Sequence, residues 1–418
     1  VDYLFIDRTP DMIFGYHTVK SALEFLYGPL GPQPLAALVY GLYSSGTYLT
    51  GLLGGFLSDR YFGQRRAVIA GGLTMAVGEF MLTDTHLFFP GLLTLVLGNG
   101  FFKPNIATQV GGLYKPGDQR IDRAYSVFYV GINLGALIAP IICGRVAHWD
   151  AGPPHWHYGF AAAGIGMLIG VAINLAGQRA LPPDVRQRRM ASATAHAPLT
   201  RNDRRAVAAL CVVAFFNLFF WGCYEQQGLT IALMAEKYTN LGLPMHFRLD
   251  AEDIQSFNPF FIFAFTPLII ALWARQAARG REPSSIIKMA YGCAGTAAAY
   301  GLLIIPALSM SPTHKVTWLW LLAAMAIQTV GELYLSPVGL SLFSKAAPPK
   351  LASLMMAVNY LSNALGNYMA GYLGSYWAGM NKAAFFAMIA GIAALTSVGI
   401  FAASLVLNPI LNERKEES

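Results

Sequence analysis

The sequence predicts an all-α polytopic membrane protein, and two observations carry that prediction. The chain has 418 residues, of which 55% are hydrophobic and only 12% are charged, about half the charged fraction that is typical of a soluble protein. Apolar runs of about 20 residues, long enough to cross the hydrocarbon core of a bilayer as helices, recur along the whole chain. A soluble globular fold is therefore excluded.

We predict eleven complete membrane-spanning helices in the chain as given. Their approximate positions are 36–57, 66–83, 88–113, 124–142, 158–177, 206–231, 256–274, 286–307, 316–340, 352–377 and 384–408. Residues 1–34 contain no span.

The distribution of Lys and Arg orients these helices. If the loop after the first span is cytoplasmic, the loops on that side together with the C-terminal tail hold 21 Lys and Arg, whereas the opposite side holds 7. This excess is the positive-inside pattern, so the net charge of +7 reflects topology and we expect no nucleic-acid partner. The same orientation places Val1 outside, which predicts a further helix before Val1. Twelve spans would leave both termini in the cytoplasm.

Composition also limits the chemistry that is available. The four cysteines lie in or beside apolar spans without paired spacing, so we expect them to be small buried side chains: Cys143, Cys211, Cys223 and Cys293. No zinc, P-loop, dinucleotide-binding or metalloprotease pattern occurs. We therefore expect no cofactor and no ATP-hydrolysing domain.

The longest polar break divides the predicted helices into two groups. It covers residues 178–205 and separates an N-terminal helical bundle, 1–177, from a C-terminal helical bundle, 206–418. With the helix expected before Val1, each bundle has six helices. Two bundles of six helices joined by a cytoplasmic linker, with a site at the middle of the membrane, are typical of secondary transporters.

The loop after the first span, "GGFLSDRYFGQRR", resembles the signature loop of the major facilitator superfamily. Its paired glycines permit close helix approach, and an Asp-Arg pair precedes a basic cluster. The signature residues are Gly55, Asp59, Arg60, Gly63 and Arg65. A generic basic loop is the alternative.

Three charged residues lie deep inside the predicted spans, namely Lys103, Glu225 and Glu332. Each costs about 2.5–3.5 kcal/mol at the bilayer centre, so each is expected to face a wet cavity or one of the others. Pro104 frees a backbone carbonyl, which is tolerable only where protein or water satisfies it. The alternative is a buried ion pair that only holds the bundles together. Glu79 lies nearer a span end, where its side chain can snorkel.

Five segments together resemble the proton-coupled oligopeptide transporter family of the major facilitator superfamily. They are "GNGFFKPN" at 98–105, "YSVFYVGINLGAL" at 125–137, "FWGCYEQQG" at 220–228, "SFNP" at 256–259 and "GELYLSPVGLSLFSKAAP" at 331–348. Their order and the lengths between them are also similar.

The resemblance implies roles for residues of the N-terminal bundle. Lys103 would hold the carboxylate of a peptide or pair with an acidic partner at the gate. Asn133 would hydrogen-bond the peptide backbone, and Tyr48 would line the wall of the pocket. Helix–helix hydrogen bonding is the alternative for Asn133, as it is for Asn258 of the C-terminal bundle. Plain packing is the alternative for Tyr48, as it is for Trp221 of that bundle.

The resemblance also implies roles for residues of the C-terminal bundle. Glu332 would meet the α-ammonium group of the peptide, and Asn258 would hydrogen-bond its backbone. Glu225 would form a gating pair with an arginine of the first helix, and Trp221 would wall a side-chain pocket. Lys103, Glu225 and Glu332 would then carry gating and proton coupling.

The sequence departs from the family pattern in several places. The acidic and arginine motif of the first helix is absent from residues 1–34, Gly41 stands where animal members have a histidine, and Asn359-Tyr360 stands where an aromatic pair is usual. Neither the two extra central helices of many bacterial members nor the external domain of animal members has room here.

These observations predict a major facilitator fold that imports di- and tripeptides with protons by alternating access. We expect a monomer in the lipid bilayer of a bacterial cytoplasmic membrane, with the proton gradient as its energy source. Three alternatives stay open: a related symporter for another small anion or a drug-like solute, a nutrient receptor that does not transport, and a membrane enzyme with Glu225 and Glu332 as acid and base.

Overall fold

The computed structural model of the chain describes residues 10–113, 120–149, 154–181, 200–242, 249–348 and 351–417. The chain divides into two compact units, Val1–Met190 and Ala191–Ser418. Most of the predicted linker, residues 182–199, lies outside the described ranges. The boundaries at 177 and 206 stay a prediction.

The first unit is helical throughout its described residues. Its helices are α1 (Tyr16–Tyr27), α2 (Pro32–Leu57), α3 (Gln64–Met81), α4 (Phe88–Gly112), α5 (Arg120–Ala147) and α6 (Trp156–Ala176). Helix α1 has only 12 residues, too few to cross a bilayer, which agrees with the absence of a predicted span before residue 34. Within this unit α4 packs on α2 and α3, and α6 packs on α3 and α5.

The second unit is helical apart from one short strand pairing. Its helices are α7 (Arg201–Tyr224), α8 (Thr230–Tyr238), α9 (Phe257–Ala278), α10 (Ser285–Ala307), α11 (Leu319–Ala346), α12 (Ala352–Ser375) and α13 (Lys382–Glu417). Strands β1 (Thr239–Asn240) and β2 (Val316–Thr317) pair in parallel. Helix α10 packs on α11 and α13, α7 packs on α12, and α9 packs on α11.

Long helices occupy all eleven predicted spans. Eight helical segments in the described ranges are long and apolar enough to cross a membrane by themselves. The other three predicted spans form α2, α3 and α12. Small and polar side chains of α2 and α12 are used for helix packing.

One predicted span is interrupted. The span expected at 206–231 ends as α7 at Tyr224, and a tight 3-10 turn, Glu225–Gln227, separates it from α8. The turn satisfies its own backbone, because Gly228 N donates to Glu225 O at 3.2 Å. At the other end, α7 begins with a capping box of Thr200 and Asp203, which satisfies first-turn N–H groups that have no helical partner.

Helices α2 and α4 pack through a row of small residues spaced four apart. A Cβ atom added at Gly54 would lie 2.1 Å from the carbonyl oxygen of Gly100, so the two backbones touch there. One helical turn away on either side, the Thr50 hydroxyl donates to Val96 O at 2.8 Å, and the Ser58 hydroxyl donates to Asn105 Oδ1 at 2.5 Å. Small residues at this spacing allow close helix approach inside a membrane.

Helices α7 and α12 pack through glycines and a buried amide network. A Cβ atom at Gly366 would lie 2.5 Å from Trp221 Cβ. Near this contact, Asn217 Nδ2 donates to Ser362 Oγ at 2.9 Å and to Asn363 Oδ1 at 3.0 Å. Asn359, which stands in place of an aromatic residue of the family pattern, is buried in the same network.

The outward faces of the helices are apolar. On α13, four large aliphatic side chains are between 66% and 75% exposed: Leu395, Val398, Leu405 and Val406. A surface of this composition belongs in hydrocarbon and not in water. Of the four cysteines, Cys223 and Cys293 are buried as expected, whereas the expectation of burial is wrong for Cys211, which is exposed on this kind of surface.

Candidate functional site

The cation of the first unit lies over an aromatic ring. Lys103 Nζ of α4 is 4.4 Å from the ring centroid of Tyr48 on α2. A Lys ammonium over a Tyr face gains about 0.5–1 kcal/mol at an exposed site, and the Lys103 side chain is exposed while Tyr48 is half-buried. The ring thus supports the ammonium group.

Pro104 follows the lysine and affects the helix one turn before it. A proline has no N–H, so the Gly100 carbonyl lacks its usual helical donor. This oxygen faces the Gly54 backbone at the α2–α4 contact, where a Cα–H donor can partly replace the lost bond. The predicted need for protein around the freed carbonyl is met by this contact.

Asn133 lies on α5 and is only 6% exposed. One N–H of its amide donates to Tyr129 O of the same helix at 2.9 Å. The second N–H and the carbonyl oxygen have no bond among the residues that the structure describes. This arrangement leaves Asn133 able to bind a ligand, but it places the residue in no described polar cluster.

In the second unit, the predicted residues Glu332 and Asn258 are in direct contact. Glu332 Oε2 accepts a hydrogen bond from Asn258 Nδ2 at 2.8 Å and another from Tyr224 Oη at 2.8 Å. Asn258 Nδ2 also donates to Thr329 Oγ1 at 3.1 Å. Both N–H groups of Asn258 are therefore in use, and its carbonyl oxygen is the atom that could meet a ligand.

The two oxygens of Glu332 differ in their surroundings. Oε2 has two donors, whereas Oε1 has none in the described part of the chain. Glu332 as a whole is half-buried. The carboxylate is held by one oxygen and presents the other.

Trp221 lies one turn before Glu225 and packs beside Tyr224. Their ring centroids are 5.3 Å apart in an edge-to-face arrangement. The Tyr224 ring also stacks on Phe220 at 5.6 Å. Trp221 and Glu332 are therefore both in contact with the same tyrosine, although 111 positions separate them in the sequence.

Glu225 opens the tight turn that ends α7, and its side chain is half-buried. The neighbouring Gln226 is fully buried and fixes the turn, because its Nε2 donates to Ala370 O at 2.9 Å. The predicted pairing of Glu225 with an arginine stays a prediction.

The signature loop forms a π-helical turn, Ser58–Phe62, that ends at Gly63. Gly63 has φ 79° and ψ 154°, a region that is open to glycine and costly for other residues. Its N–H donates to Ser58 O at 2.8 Å. Gly63 therefore lets the chain reverse between α2 and α3.

Among the other signature residues, some make contacts and others are exposed. Arg65 donates from Nη2 to Leu181 O, which joins the start of α3 to the segment after α6. Arg60 is exposed. A Cβ atom at Gly55 would meet only Pro104 at 3.7 Å, so the close approach belongs to its neighbour. The side chain of Asp59 lies outside what the structure describes.

Tyr224 and Thr329 were absent from the residues that the sequence singled out. Both contact the Glu332–Asn258 pair. Tyr224 directly precedes Glu225 in a quoted segment, and Thr329 lies three positions before Glu332, one helical turn away. This adjacency was the only signal available, because which neighbour faces the carboxylate depends on how α7 and α9 pack on α11.

No group of three or more His, Cys, Asp or Glu in the described ranges is arranged to hold a metal ion.

Comparison with known proteins places the chain in a family. The model of the POT family matches residues 65–197 and 183–388. The chain is 30% identical to the peptide transporter YePEPT of Yersinia enterocolitica, over 80% of this chain and 78% of that protein. It is 28% identical to a di-/tripeptide transporter of Lactococcus lactis, over 95% and 93% of the two chains.

The fold of the chain is also similar to that of solved structures. A crystal structure of the peptide transporter POT in complex with sulfate has a TM-score of 0.81 and 26% identity, covering 97% of this chain and 94% of that one. A mutant of the same transporter in complex with alafosfalin has the same scores and coverage. The expected major facilitator fold is thereby confirmed, and the alternative of a membrane enzyme is set aside. The chain belongs to the POT family of transporters.

Proposed function

We propose that this protein takes up di- and tripeptides together with protons by alternating access. A peptide carries an ammonium group at one end and a carboxylate at the other, so recognition that is independent of side chains needs an anchor of each sign. Each unit supplies one deep residue of the required sign, Glu332 and Lys103. Relatives named as di-/tripeptide transporters support the substrate class.

The observation that carries the proposal is the arrangement at Glu332. Its Oε2 is fixed by two donors, Tyr224 and Asn258, and its Oε1 has no described partner. A carboxylate held this way presents one oxygen in a fixed direction, as recognition of a single ammonium group requires. The side-chain carbonyl oxygen of Asn258 is a second acceptor for the ammonium group of the peptide, which has three N–H donors.

We assign Lys103 to the peptide carboxylate and to coupling. Its side chain is exposed and its ammonium group lies over the Tyr48 ring, and a cation of this kind is suited to the carboxylate of a peptide. Asn133, Trp221 and Glu225 complete the proposed binding set. Proton movement is assigned to the carboxylates Glu225 and Glu332 and to Lys103.

We also place the protein as a monomer in the inner membrane of a bacterium. The basic loops then face the cytoplasm by the positive-inside rule. The proton gradient supplies the energy, and no cofactor is required.

Counterflow in proteoliposomes tests transport. Vesicles loaded with unlabelled dialanine are expected to accumulate labelled dialanine, and an inward proton gradient is expected to drive accumulation without preloading. Saturable binding without exchange would indicate a receptor. Exchange of other small anions in preference to peptides would indicate the related symporter.

Competition with free and N-acetylated dialanine tests the anchor. In Glu332→Gln, the amide oxygen must take the place of Oε2, because Asn258 Nδ2 can only donate. The amide nitrogen then occupies the position of Oε1 and faces the ammonium group with another donor. Binding of the free peptide should fall by about 1.5–3 kcal/mol, about 10- to 150-fold.

The acetylated peptide serves as the internal control. It lacks the ammonium group, so it should bind the unmodified protein weakly and change little in Glu332→Gln. Equal losses for both peptides would mean that the amino terminus is bound elsewhere.

A further inference from the structure

We infer that Tyr224 is a positioning residue for substrate selection, acting through Glu332. The inference rests on the proposed role of Glu332 as the ammonium anchor. No part of the resemblance assigns a role to this tyrosine. Its hydroxyl group helps to fix the direction in which the other carboxylate oxygen is presented to the ligand.

The geometry that supports this is the double hydrogen bond on a single oxygen. Tyr224 Oη and Asn258 Nδ2 both lie 2.8 Å from Glu332 Oε2. The two donors come from different helices, α7 and α9, and meet a carboxylate on α11. With both in place, rotation of the carboxylate about its last bond would lose two hydrogen bonds to a charged acceptor.

Asn258 alone would hold the carboxylate less firmly. The other N–H of its Nδ2 donates to Thr329 Oγ1 at 3.1 Å, so a single amide N–H holds the carboxylate. Tyr224 Oη donates to the same carboxylate oxygen from another helix at 2.8 Å. The tyrosine therefore adds the second bond that fixes the direction of Oε1.

Tyr224 is itself held in place. It is only 9% exposed, its ring stacks on Phe220 with an interplanar angle of 21°, and the edge of Trp221 lies against it. Gln328 Nε2, from α11, donates to the Tyr224 backbone carbonyl at 3.0 Å. A fixed ring means that the hydroxyl needs no ordering when the ligand binds.

The contact with Trp221 has a consequence for substrate choice. Trp221 is proposed to wall a side-chain pocket, and the same tyrosine contacts both that wall and the anchor for the amino terminus. A side chain that displaces Trp221 would also disturb the direction of Oε1. Trp221 and Glu332, the two groups proposed to bind the first residue of a peptide, are thus coupled through their common contact with Tyr224.

The experiment is a double-mutant cycle with Tyr224→Phe and Glu332→Gln, read by competition with free and N-acetylated dialanine. Phe keeps both ring contacts and removes only the hydroxyl group. We expect Tyr224→Phe to weaken free dialanine about 3- to 10-fold and to leave the acetylated form unchanged. In the Glu332→Gln background, Tyr224→Phe should weaken free dialanine no further, since the group it positions is gone.

The matched control is Tyr334→Phe. Tyr334 lies on α11 two positions after Glu332, and its ring packs against Trp273 at 5.3 Å. It makes no described hydrogen bond to Glu332, so the loss of its hydroxyl should leave both peptides unaffected. If Tyr224→Phe proves unstable, 3-fluorotyrosine in place of Tyr224 keeps the hydroxyl as a stronger donor and should bind free dialanine at least as well as the unmodified protein.

The outcomes distinguish a failure of the inference about Tyr224 from a failure of the proposed role of Glu332. Equal weakening of both peptides by Tyr224→Phe, or an undiminished effect of it in the Glu332→Gln background, would overturn the inference and leave the proposed function standing. If Glu332→Gln alone fails to distinguish the two peptides, the anchor assignment fails and the inference about Tyr224 fails with it.

Discussion

A single methyl group added at Gly54 is expected to destabilise the first unit. In Gly54→Ala the new Cβ would lie 2.1 Å from the Gly100 carbonyl oxygen, whereas real contacts of this kind essentially never fall below 3.0 Å. The oxygen belongs to the backbone and cannot rotate away. Helices α2 and α4 must therefore move apart by about 0.9 Å at this point.

The cost follows from what the separation disrupts. If the two helices separate by about 0.9 Å, the distance from the Ser58 hydroxyl to Asn105 Oδ1 grows from 2.5 Å to about 3.4 Å. The distance from the Thr50 hydroxyl to Val96 O grows from 2.8 Å to about 3.7 Å. Each lost interhelical bond costs about 0.6 kcal/mol in a membrane protein. Overpacking costs a further 1–3 kcal/mol, roughly, so we expect a total of about 2–4 kcal/mol.

Thermal unfolding of the purified protein in detergent measures this effect, with Gly55→Ala as the adjacent control. The control Cβ would meet only Pro104 carbons at 3.7 and 3.8 Å, which is ordinary contact. Gly54→Ala should lower the apparent Tm by several degrees, and Gly55→Ala should lower it little or not at all. Equal apparent Tm values for the two variants would refute the close contact between α2 and α4.

Three further substitutions test separate parts of the molecule. Lys103→Ala should abolish pH-gradient-driven uptake while the protein still inserts and folds, because the exposed ammonium group serves the ligand or coupling and not the fold. Asn217→Ala should lower the unfolding free energy by about 1–3 kcal/mol, since it leaves buried polar partners on α12 unpaired. Lys288→Met should cost about 1–2 kcal/mol, because it breaks a 2.5 Å ion pair with Glu282 in which only the lysine is buried. Lys20→Met, at a half-exposed pair with Glu24 at 3.8 Å, should change stability by less than about 1 kcal/mol.

Each of these has an outcome that contradicts it. Uptake at the unmodified rate in Lys103→Ala would make that residue structural. An unchanged apparent Tm in Asn217→Ala would mean that water replaces the amide. Equal apparent Tm values for Lys288→Met and Lys20→Met would show that burial adds nothing to the first ion pair.

The helices were predictable because their signal is local. Each span is a continuous apolar run, so its position depends on residues that are adjacent in the sequence. The break at Glu225 was not predicted, since it depends on Gln226 reaching the Ala370 carbonyl on another helix, 144 positions away. From composition alone, residues 206–231 are predicted to form one continuous helix.

Residues of the candidate site are named by the sequence for a different reason. A charge deep in a span is costly, which singled out Lys103, Glu225 and Glu332 without any knowledge of packing. What surrounds each charge was not predictable in the same way. A tyrosine beside a carboxylate in space is not marked in the sequence, because tyrosines are common in helices of this kind.

The sequence by itself determined the class of the protein and the identity of the charges inside its apolar segments, because hydrophobicity and charge act on each segment independently of its neighbours. Only the tertiary structure decided that Gly54 and not Gly55 touches α4, and that Tyr224 donates to Glu332 across 108 positions of sequence. Both facts depend on which face of a helix meets its neighbour and at what crossing. Rotating a helix by one residue, about 100°, exchanges the groups that meet, and the apolar composition of these helices constrains that rotation only weakly.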